Sequence, residues 1–237
     1  MLNEIEAWAG LALPAAAVGG VVCSALASGY VRRIEADEPV DPETLWAAWF
    51  DLVKHPRASW RPTGQAVLCV VLLLVASLPF VLHPSVLAFA RTVCCAVLLL
   101  LALIDARCGL LPDALTVPLL WAGLLLAWAG YGPGLHEAVS AAALGYLFLW
   151  ALNAAFMVLR GRSGLGGGDM KLVAALGAWL GWAPLPAVLL AACVAGIAFS
   201  LVAAGRQALG HALAFGPFLS FAGAVGLSAM PVVQFLF

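Results

Sequence analysis

The chain has 237 residues, of which 65% are hydrophobic and 10% are charged. A soluble domain carries about 25% charged residues, so this composition excludes a soluble enzyme and a disordered chain. The 11 basic and 12 acidic side chains give a net charge of −1, which offers no basic surface for nucleic acid. Since a helix needs about 20 apolar residues to cross a bilayer, eight crossings take about 160 residues. The composition therefore predicts an all-α, polytopic membrane protein with about eight transmembrane helices.

The first apolar run covers residues 5–30 and follows Asn3 and Glu4, with no basic residue before it. A signal peptide has a positively charged start, so we expect a retained first transmembrane helix over residues 1–30. Residues 31–64 form the one sizeable polar stretch, with five basic and six acidic side chains. Its middle, ETLWAAWFDLVK, has the spacing of a short helix at the membrane interface. We expect this stretch to be a cytoplasmic or interfacial loop.

Seven further apolar runs follow, and proline- or glycine-containing turns separate most of them. Together they predict a seven-helix core over residues 65–237. The predicted crossings are 65–82, 85–104, 114–129, 137–159, 170–182, 183–203 and 212–237.

The six cysteines include no CxxC pair, and most of them lie in apolar runs. Structural zinc sites use closely spaced cysteine pairs in loops, so the sequence suggests neither a zinc site nor a disulfide framework. We expect no metal and no cofactor.

The basic residues orient the predicted helices. If the N-terminus is periplasmic, ten of the eleven basic residues lie on the cytoplasmic side, as the positive-inside rule requires. Arg91 falls inside a predicted helix, where it must snorkel or pair. The charge pattern thus predicts a multi-pass membrane protein with its N-terminus on the periplasmic side. The ten cytoplasmic residues are Arg32, Arg33, Lys54, Arg57, Arg61, Arg107, Arg160, Arg162, Lys171 and Arg206.

Four acidic residues lie near the ends of predicted helices, where an unpaired carboxylate is costly to bury. Glu137 is at the external start of a helix and suits the helix dipole. Asp105, Asp113 and Asp169 all fall on the predicted cytoplasmic face. Asp113 and Asp169 also fit the role of helix N-cap, and Asp105 fits an ion pair with Arg107.

Asp105 closes an apolar run, and Asp169 follows the glycine-rich stretch 161–168. Two carboxyl groups that converge on one water suit an acid–base peptidase: one deprotonates the water and the other protonates the leaving amine. Neighbouring carboxylates cannot both ionise cheaply, so such a pair titrates as a unit. We hypothesise that Asp105 and Asp169 form this pair.

Three segments resemble the signatures of the type IV prepilin peptidases. Asp105, followed after six residues by Pro112-Asp113, is similar to their D-x6-PD segment. The run Gly166-Gly167-Gly168-Asp169 looks like their GxGD motif. Residues 214–219, Ala-Phe-Gly-Pro-Phe-Leu, resemble the Phe-Gly-Pro-Phe signature that opens their last helix. The resemblance covers about residues 65–237.

The resemblance implies an integral inner-membrane aspartic peptidase of the GxGD type. Such enzymes cut after a Gly, removing the basic leader of type IV prepilins and type II secretion pseudopilins at the cytoplasmic membrane face. The implied partners are a prepilin or pseudopilin with a basic leader and an apolar helix, and the lipid bilayer. By motif, the catalytic pair is Asp105 and Asp169. The residues implied to shape the site are Gly166, Gly168, Pro112, Asp113, Lys171 and Pro217.

Alternatives stay open at two of these positions. Lys171 fits a snorkelling membrane anchor equally well, and Pro217 fits an ordinary helix-start proline. The acids of residues 31–64 either attract a basic leader or form a solvated surface.

The chain also departs from the longer members of the family. Those members carry two CxxC pairs in a larger cytoplasmic segment and methylate the new N-terminus of their product. Residues 31–64 contain no cysteine, so the resemblance leaves methyl transfer in doubt.

Two other function classes remain open on sequence grounds. A transporter using the acids as an ion relay would place them near the bilayer midplane. A catalytically silent assembly factor would use them as helix caps. The sequence leaves the oligomeric state open.

Overall fold

The computed structural model describes residues 2–36, 42–54, 64–82, 85–161, 163–204 and 214–234. Within these ranges the regular structure is entirely α-helical, which confirms the all-α prediction. The helices are α1 (Leu2–Glu35), α2 (Pro42–Lys54), α3 (Gly64–Leu82), α4 (Val86–Cys108), α5 (Asp113–Trp128), α6 (Leu135–Arg160), α7 (Gly167–Leu180), α8 (Leu185–Ala204) and α9 (Gly216–Gln234).

Each predicted crossing corresponds to one helix, and the predicted interfacial segment is α2. Two boundaries differ in a way that matters for the acids. Helix α4 continues one turn past residue 104. It ends where Gly109 adopts the left-handed conformation (φ 64°) that is typical of helix ends. Helix α7 begins before residue 170, so Asp169 lies within it. One of the proline-containing turns that separate the apolar runs, His83-Pro84, lies outside the described residues.

The described helices include four that are long and apolar enough to cross a membrane: Pro14–Glu35 of α1, α4, α6 and Leu185–Val202 of α8. Helix α5 and parts of α3 and α9 are apolar but shorter. The chain is therefore a multi-pass membrane protein, and the count of eight crossings stays a prediction. Helix α7 has 14 residues, so it is about 21 Å long.

Contacts between helix ends define the topology of the bundle. At one end α1 and α4 finish, and Arg107 donates a hydrogen bond to Ser28 Oγ (3.2 Å). Helices α5 and α7 start at the same end, where Lys171 pairs with Asp113. We name this end, where α9 also starts, the aspartate end. At the opposite end Glu137, at the start of α6, accepts a hydrogen bond from the backbone amide of Trp182.

Described basic residues collect at the aspartate end, as the charge pattern predicts for one membrane face. Arg33, in the last turn of α1, pairs with Asp51 of α2. Arg91, by contrast, lies near the start of α4, away from the aspartate end, and is buried. The other described basic residues at the aspartate end are Arg32, Arg107, Arg160 and Lys171. Arg57, Arg61, Arg162 and Arg206 lie outside the described residues.

Helix α7 is the core of the bundle. It is buried almost all round and packs against α5, α6 and α9. Small residues allow this packing, because a Cβ on Gly177 would lie 2.7 Å from the backbone of Ala141. Trp179 fixes α7 to α5, since its indole donates a hydrogen bond to the backbone oxygen of Leu119 (2.8 Å). The rigid centre of the fold therefore carries Asp169 at its first turn.

Replacing Trp179 with Phe is expected to lower the free energy of unfolding by about 1–2 kcal/mol, because the buried indole loses its bond to Leu119. Trp182→Phe is the matched control. Its indole also donates a hydrogen bond, to Ser140 Oγ, but the residue is 40% exposed, so we expect a loss below about 0.5 kcal/mol. Unfolding in detergent, followed by circular dichroism, measures both. Equal losses would contradict the anchoring role of Trp179.

Candidate active site

Asp105 lies in the last turn of α4 and is 5% exposed. The start of α9 presses against its carboxyl group: a Cβ on Gly216 would lie 2.5 Å from Asp105 Oδ2. Within the described part of the chain, this Oδ2 atom has no hydrogen-bond partner. A buried carboxyl oxygen without a partner is costly in a structural residue and common in a functional one.

Asp169 is the third residue of α7 and is 7% exposed. Gly166 holds the N-cap position, and a Cβ there would be 3.3 Å from Asp169 Oδ2. The carboxyl group therefore faces the free amides of the first helical turn, where the helix dipole favours negative charge.

Two loops bring the acids together at the aspartate end. The loop after α4 packs against the glycine-rich loop, since a Cβ on Gly168 would lie 2.7 Å from that of Leu111. Next to this contact, Lys171 Nζ binds both carboxylate oxygens of Asp113 (2.7 and 2.6 Å). Exposed ion pairs contribute little to stability, so this one mainly fixes the relative position of the two loops that lead into α5 and α7.

The two acids also interact electrostatically. Asp169 lies in the first turn of α7, which is outside the helices described as long and apolar enough to cross a membrane. Burial and, to a smaller extent, the charge of Asp105 raise the pKa of Asp169 to about 6. Under mildly acidic conditions Asp169 therefore carries a proton.

Asn153 of α6 supports the glycine-rich loop from the other side. Its Oδ1 accepts hydrogen bonds from the backbone amides of Gly164 and Leu165 (2.9 and 3.0 Å) and from the Ser163 hydroxyl (3.0 Å). Phe156, one turn further along, closes on Gly164, where a Cβ would lie 2.6 Å from its ring. One amide side chain thus satisfies a loop that has no regular structure of its own.

The structure corrects two of the capping interpretations. Asp113 is not the N-cap of α5: that position is Pro112, and Asp113 pairs with Lys171 instead. Asp169 is not the N-cap of α7, because Gly166 is. In both cases the helix starts one or more residues earlier than the apolar pattern suggests.

The other predicted residues lie where their motifs suggest. Pro112 ends the loop after α4, and Pro217 lies in the first turn of α9. Lys171 forms an ion pair with Asp113. Arg107, the alternative partner of Asp105, donates a hydrogen bond to Ser28.

Sequence reasoning missed Asn153 and the role of Gly216. Asn153 is a single amide within the apolar helix α6, and such residues in membrane helices are rare and usually functional. The rarity of an amide side chain in an apolar helix was the signal that could have identified Asn153. Nothing in the sequence indicated that Gly216 would touch Asp105, since this contact depends on the docking of α9.

The arrangement is suited to proton transfer rather than to metal binding. No three histidine, cysteine, aspartate or glutamate side chains meet as metal ligands within the described ranges. Two coupled carboxyl groups beside an open helix start can activate a water molecule and protonate a leaving group.

Comparison with known proteins agrees with this chemistry. The model of the type IV leader peptidase family matches residues 92–201, a range that includes both Asp105 and Asp169. No solved structure matches the chain.

Several curated relatives carry the name prepilin leader peptidase/N-methyltransferase. The chain is 52% identical over 146 residues to the protein from Burkholderia pseudomallei (strain 1026b), covering 61% of this chain and 47% of the relative. It is 43% identical over 171 residues to that of Dickeya chrysanthemi (71% and 60%). It is 40% identical over 185 residues to that of Pectobacterium carotovorum subsp. carotovorum (77% and 66%). The chain thus spans about half the length of the Burkholderia relative.

Adding one methyl group at Gly168 is expected to lower the free energy of unfolding by about 1–3 kcal/mol, because its Cβ would overlap Leu111. Gly167→Ala is the matched control. Nothing lies within 4 Å of a Cβ at that position, and alanine favours helix, so we expect no loss. Thermal unfolding in detergent measures both variants. Leu111→Gly in the Gly168→Ala background removes the Cβ atom that the added methyl group would meet, so it should restore part of the loss, and no restoration would contradict the proposed contact.

Proposed function

Because this chain belongs to the type IV leader peptidase family, we propose that it is a membrane aspartic endopeptidase. Its substrates are type IV prepilins or type II secretion pseudopilins, each with a basic leader followed by an apolar helix. It removes the leader at the cytoplasmic face of a bacterial inner membrane, with its N-terminus on the periplasmic side. The peptidase core comprises residues 65–237.

One observation carries this proposal: two buried carboxyl groups, Asp105 and Asp169, are coupled at one end of a membrane bundle. A helix-capping role does not require two acids to be buried beside each other. A transporter relay would favour acids near the middle of the membrane-spanning helices. Here Asp105 lies in the last turn of α4, and Asp169 in the first turn of α7.

The proposed mechanism uses the single proton of the pair. Ionised Asp105 takes a proton from a water molecule, whose oxygen attacks the carbonyl carbon of the scissile bond. Protonated Asp169 donates to the carbonyl oxygen, which stabilises the tetrahedral intermediate. Collapse of this intermediate breaks the C–N bond: Asp105 passes the proton that it took from water to the leaving amine, and a hydroxyl of the intermediate returns its proton to Asp169 as the product carboxyl group forms. The pair ends with one proton, ready for the next substrate.

The acids of residues 31–64 are an electrostatic counterpart of the basic leader. Among these, Glu35 and Glu43 belong to the helices α1 and α2 at the aspartate end, whereas Asp51 is engaged by Arg33. Asp37, Glu38 and Asp41 lie outside the described residues. We propose that this segment guides the leader toward the aspartate pair.

Asp105→Asn and Asp169→Asn should each reduce cleavage of a co-expressed prepilin by about 10³-fold or more, because neither variant has a complete acid–base pair. Glu137→Gln is the matched control: it removes a carboxylate at the opposite end of the bundle and retains an acceptor for Trp182. Mass spectrometry of the pilin reports the cleavage site and any N-methyl group. Folding is checked by size-exclusion chromatography and thermal unfolding.

Full processing by either aspartate variant would refute the peptidase assignment. It would favour a silent assembly factor if the secretion or pilus phenotype also persisted. Aspartate-dependent solute uptake into liposomes, without cleavage, would favour a transporter that uses the acids as an ion relay.

The pKa of Asp169, raised to about 6, sets the expected pH dependence of cleavage. As pH rises through about 6, the free enzyme loses the shared proton, so kcat/KM should fall on the alkaline side. Bound substrate removes water and raises the pKa further, so kcat should fall at a higher pH than kcat/KM. Initial rates in proteoliposomes between pH 4.5 and 8.5 measure both profiles. A kcat/KM that rises through pH 6 would contradict the assignment of the proton to Asp169.

A further inference from the structure

The bundle contains an apolar groove that the mechanism above does not use. It lies between α3, α4 and α9 and has a volume of about 400 Å³. Val75 and Phe221 line it and are 56% and 55% exposed, so the groove opens at the side of the bundle rather than at its end. In a membrane protein this side faces the bilayer.

Both long walls of the groove lead to the candidate active site. On α4 the lining ends at Ala102, and the next position on the same helix face is Asp105. On α9 it ends at Ser220, one turn from Gly216, which is in contact with Asp105. The groove is therefore continuous with the buried acid.

Ser220 is the unusual polar residue of this groove. It is 1% exposed, and its hydroxyl has no hydrogen-bond partner among the described residues. Other helical serines return their hydroxyl to the preceding turn: Ser228 binds Ala224 O (2.9 Å), and Ser77 binds Leu74 O (2.8 Å). A buried hydroxyl without a partner is costly, which points to a partner outside this chain.

We propose that this groove binds the apolar segment that follows the scissile bond of a membrane-anchored peptide substrate, and that the Ser220 hydroxyl binds that segment's backbone. The inference rests on the proposed peptidase function and adds to it a substrate-binding site within the membrane.

The chemistry of cleavage in a membrane supports this occupant. A peptide bond must leave the helical conformation to be attacked, and this frees backbone N–H and C=O groups. In apolar surroundings those groups need new partners. Ser220 provides one about 6 Å along α9 from Gly216, which touches Asp105.

The size of the groove also fits a peptide. Its lining on α9 runs from Ser220 to Ala229, which is about 13 Å, or between two and three helical turns. A lipid acyl chain would fill the same volume, and the ester carbonyl at its head accepts hydrogen bonds, but it has no reason to end at a buried aspartate. We therefore favour the substrate over a lipid.

The test compares two synthetic substrates in proteoliposomes. The long one has a basic leader ending in Gly, followed by about 20 apolar residues, and the short one stops a few residues after the cleavage site. Ala102→Phe, which fills the groove, should raise KM for the long substrate about tenfold and leave the short one unchanged. The matched control Ala122→Phe fills a cavity of about 420 Å³ between α4 and α5, and should alter neither KM.

The role of the hydroxyl is tested by a second matched pair. Ser220→Ala should lower kcat/KM for the long substrate about fivefold, which is typical of one lost hydrogen bond. Ser77→Ala removes an equally buried hydroxyl that already has a partner in its own helix, so kcat/KM should not change. Equal effects of the two variants would overturn the role of Ser220.

Crosslinking gives a result that does not depend on these variants folding well. A long substrate with benzoylphenylalanine in its first apolar turns, bound to the Asp169→Asn enzyme, should crosslink to α3 and α9 near Val75 and Phe221. Crosslinks confined to lipid, or to Val194 on the exposed side of α8, would overturn the proposal. If wild-type enzyme cleaves the long substrate but the expected kinetic and crosslinking results are not observed, the groove proposal is wrong and the peptidase proposal stands. If wild-type enzyme cleaves neither substrate, both are wrong.

Discussion

Two carboxyl groups buried beside each other are the constraint on which this structure depends. Burial and the neighbouring charge of Asp105 both raise the pKa of Asp169, because like charges in a poorly solvated site repel each other. The chain holds them together with backbone rather than with countercharge. Gly216 and Gly168 stand where any larger residue would collide with Asp105 and Leu111, respectively. Glycine is required at these positions by close approach and not by an unusual backbone angle, since neither has a positive φ.

The rest of the fold prevents this pair from relaxing apart. Helix α7 is buried almost all round and is tied to α5 by Trp179, so Asp169 starts from a rigid core. Helix α4 is held at its end by a separate apolar cluster that joins Tyr30 of α1 and Ile104, one residue before Asp105. The loops between these fixed helices have little freedom left. Asn153 takes up the free amides of one loop, and the pair between Lys171 and Asp113 joins it to the other.

The sequence predicted most of the helices, because long apolar runs and turn residues are local signals. It also predicted that Asp105 and Asp169 share one face, since helix count and charge orient them. It failed where the outcome depends on packing between distant segments. The capping interpretation of Asp113 was wrong because its partner, Lys171, is 58 residues away and is brought near only by the docking of α7. Gly216 and Ser220 carried no local signal, because their surroundings are set by how α9 docks against α4.

The position of the pair at helix ends resolves a conflict that any membrane peptidase faces. Hydrolysis needs water, and the bond to be cut belongs to a chain that prefers the bilayer. Acids in the last turn of α4 and the first turn of α7 lie near the end of the bundle rather than in its middle, while the groove between α3, α4 and α9 leads from the same point along the side of the bundle. A substrate can then keep its apolar segment in the groove and expose one peptide bond at the pair. The buried Ser220 hydroxyl near that point has no hydrogen-bond partner among the described residues, and we attribute this to the binding of the proposed substrate.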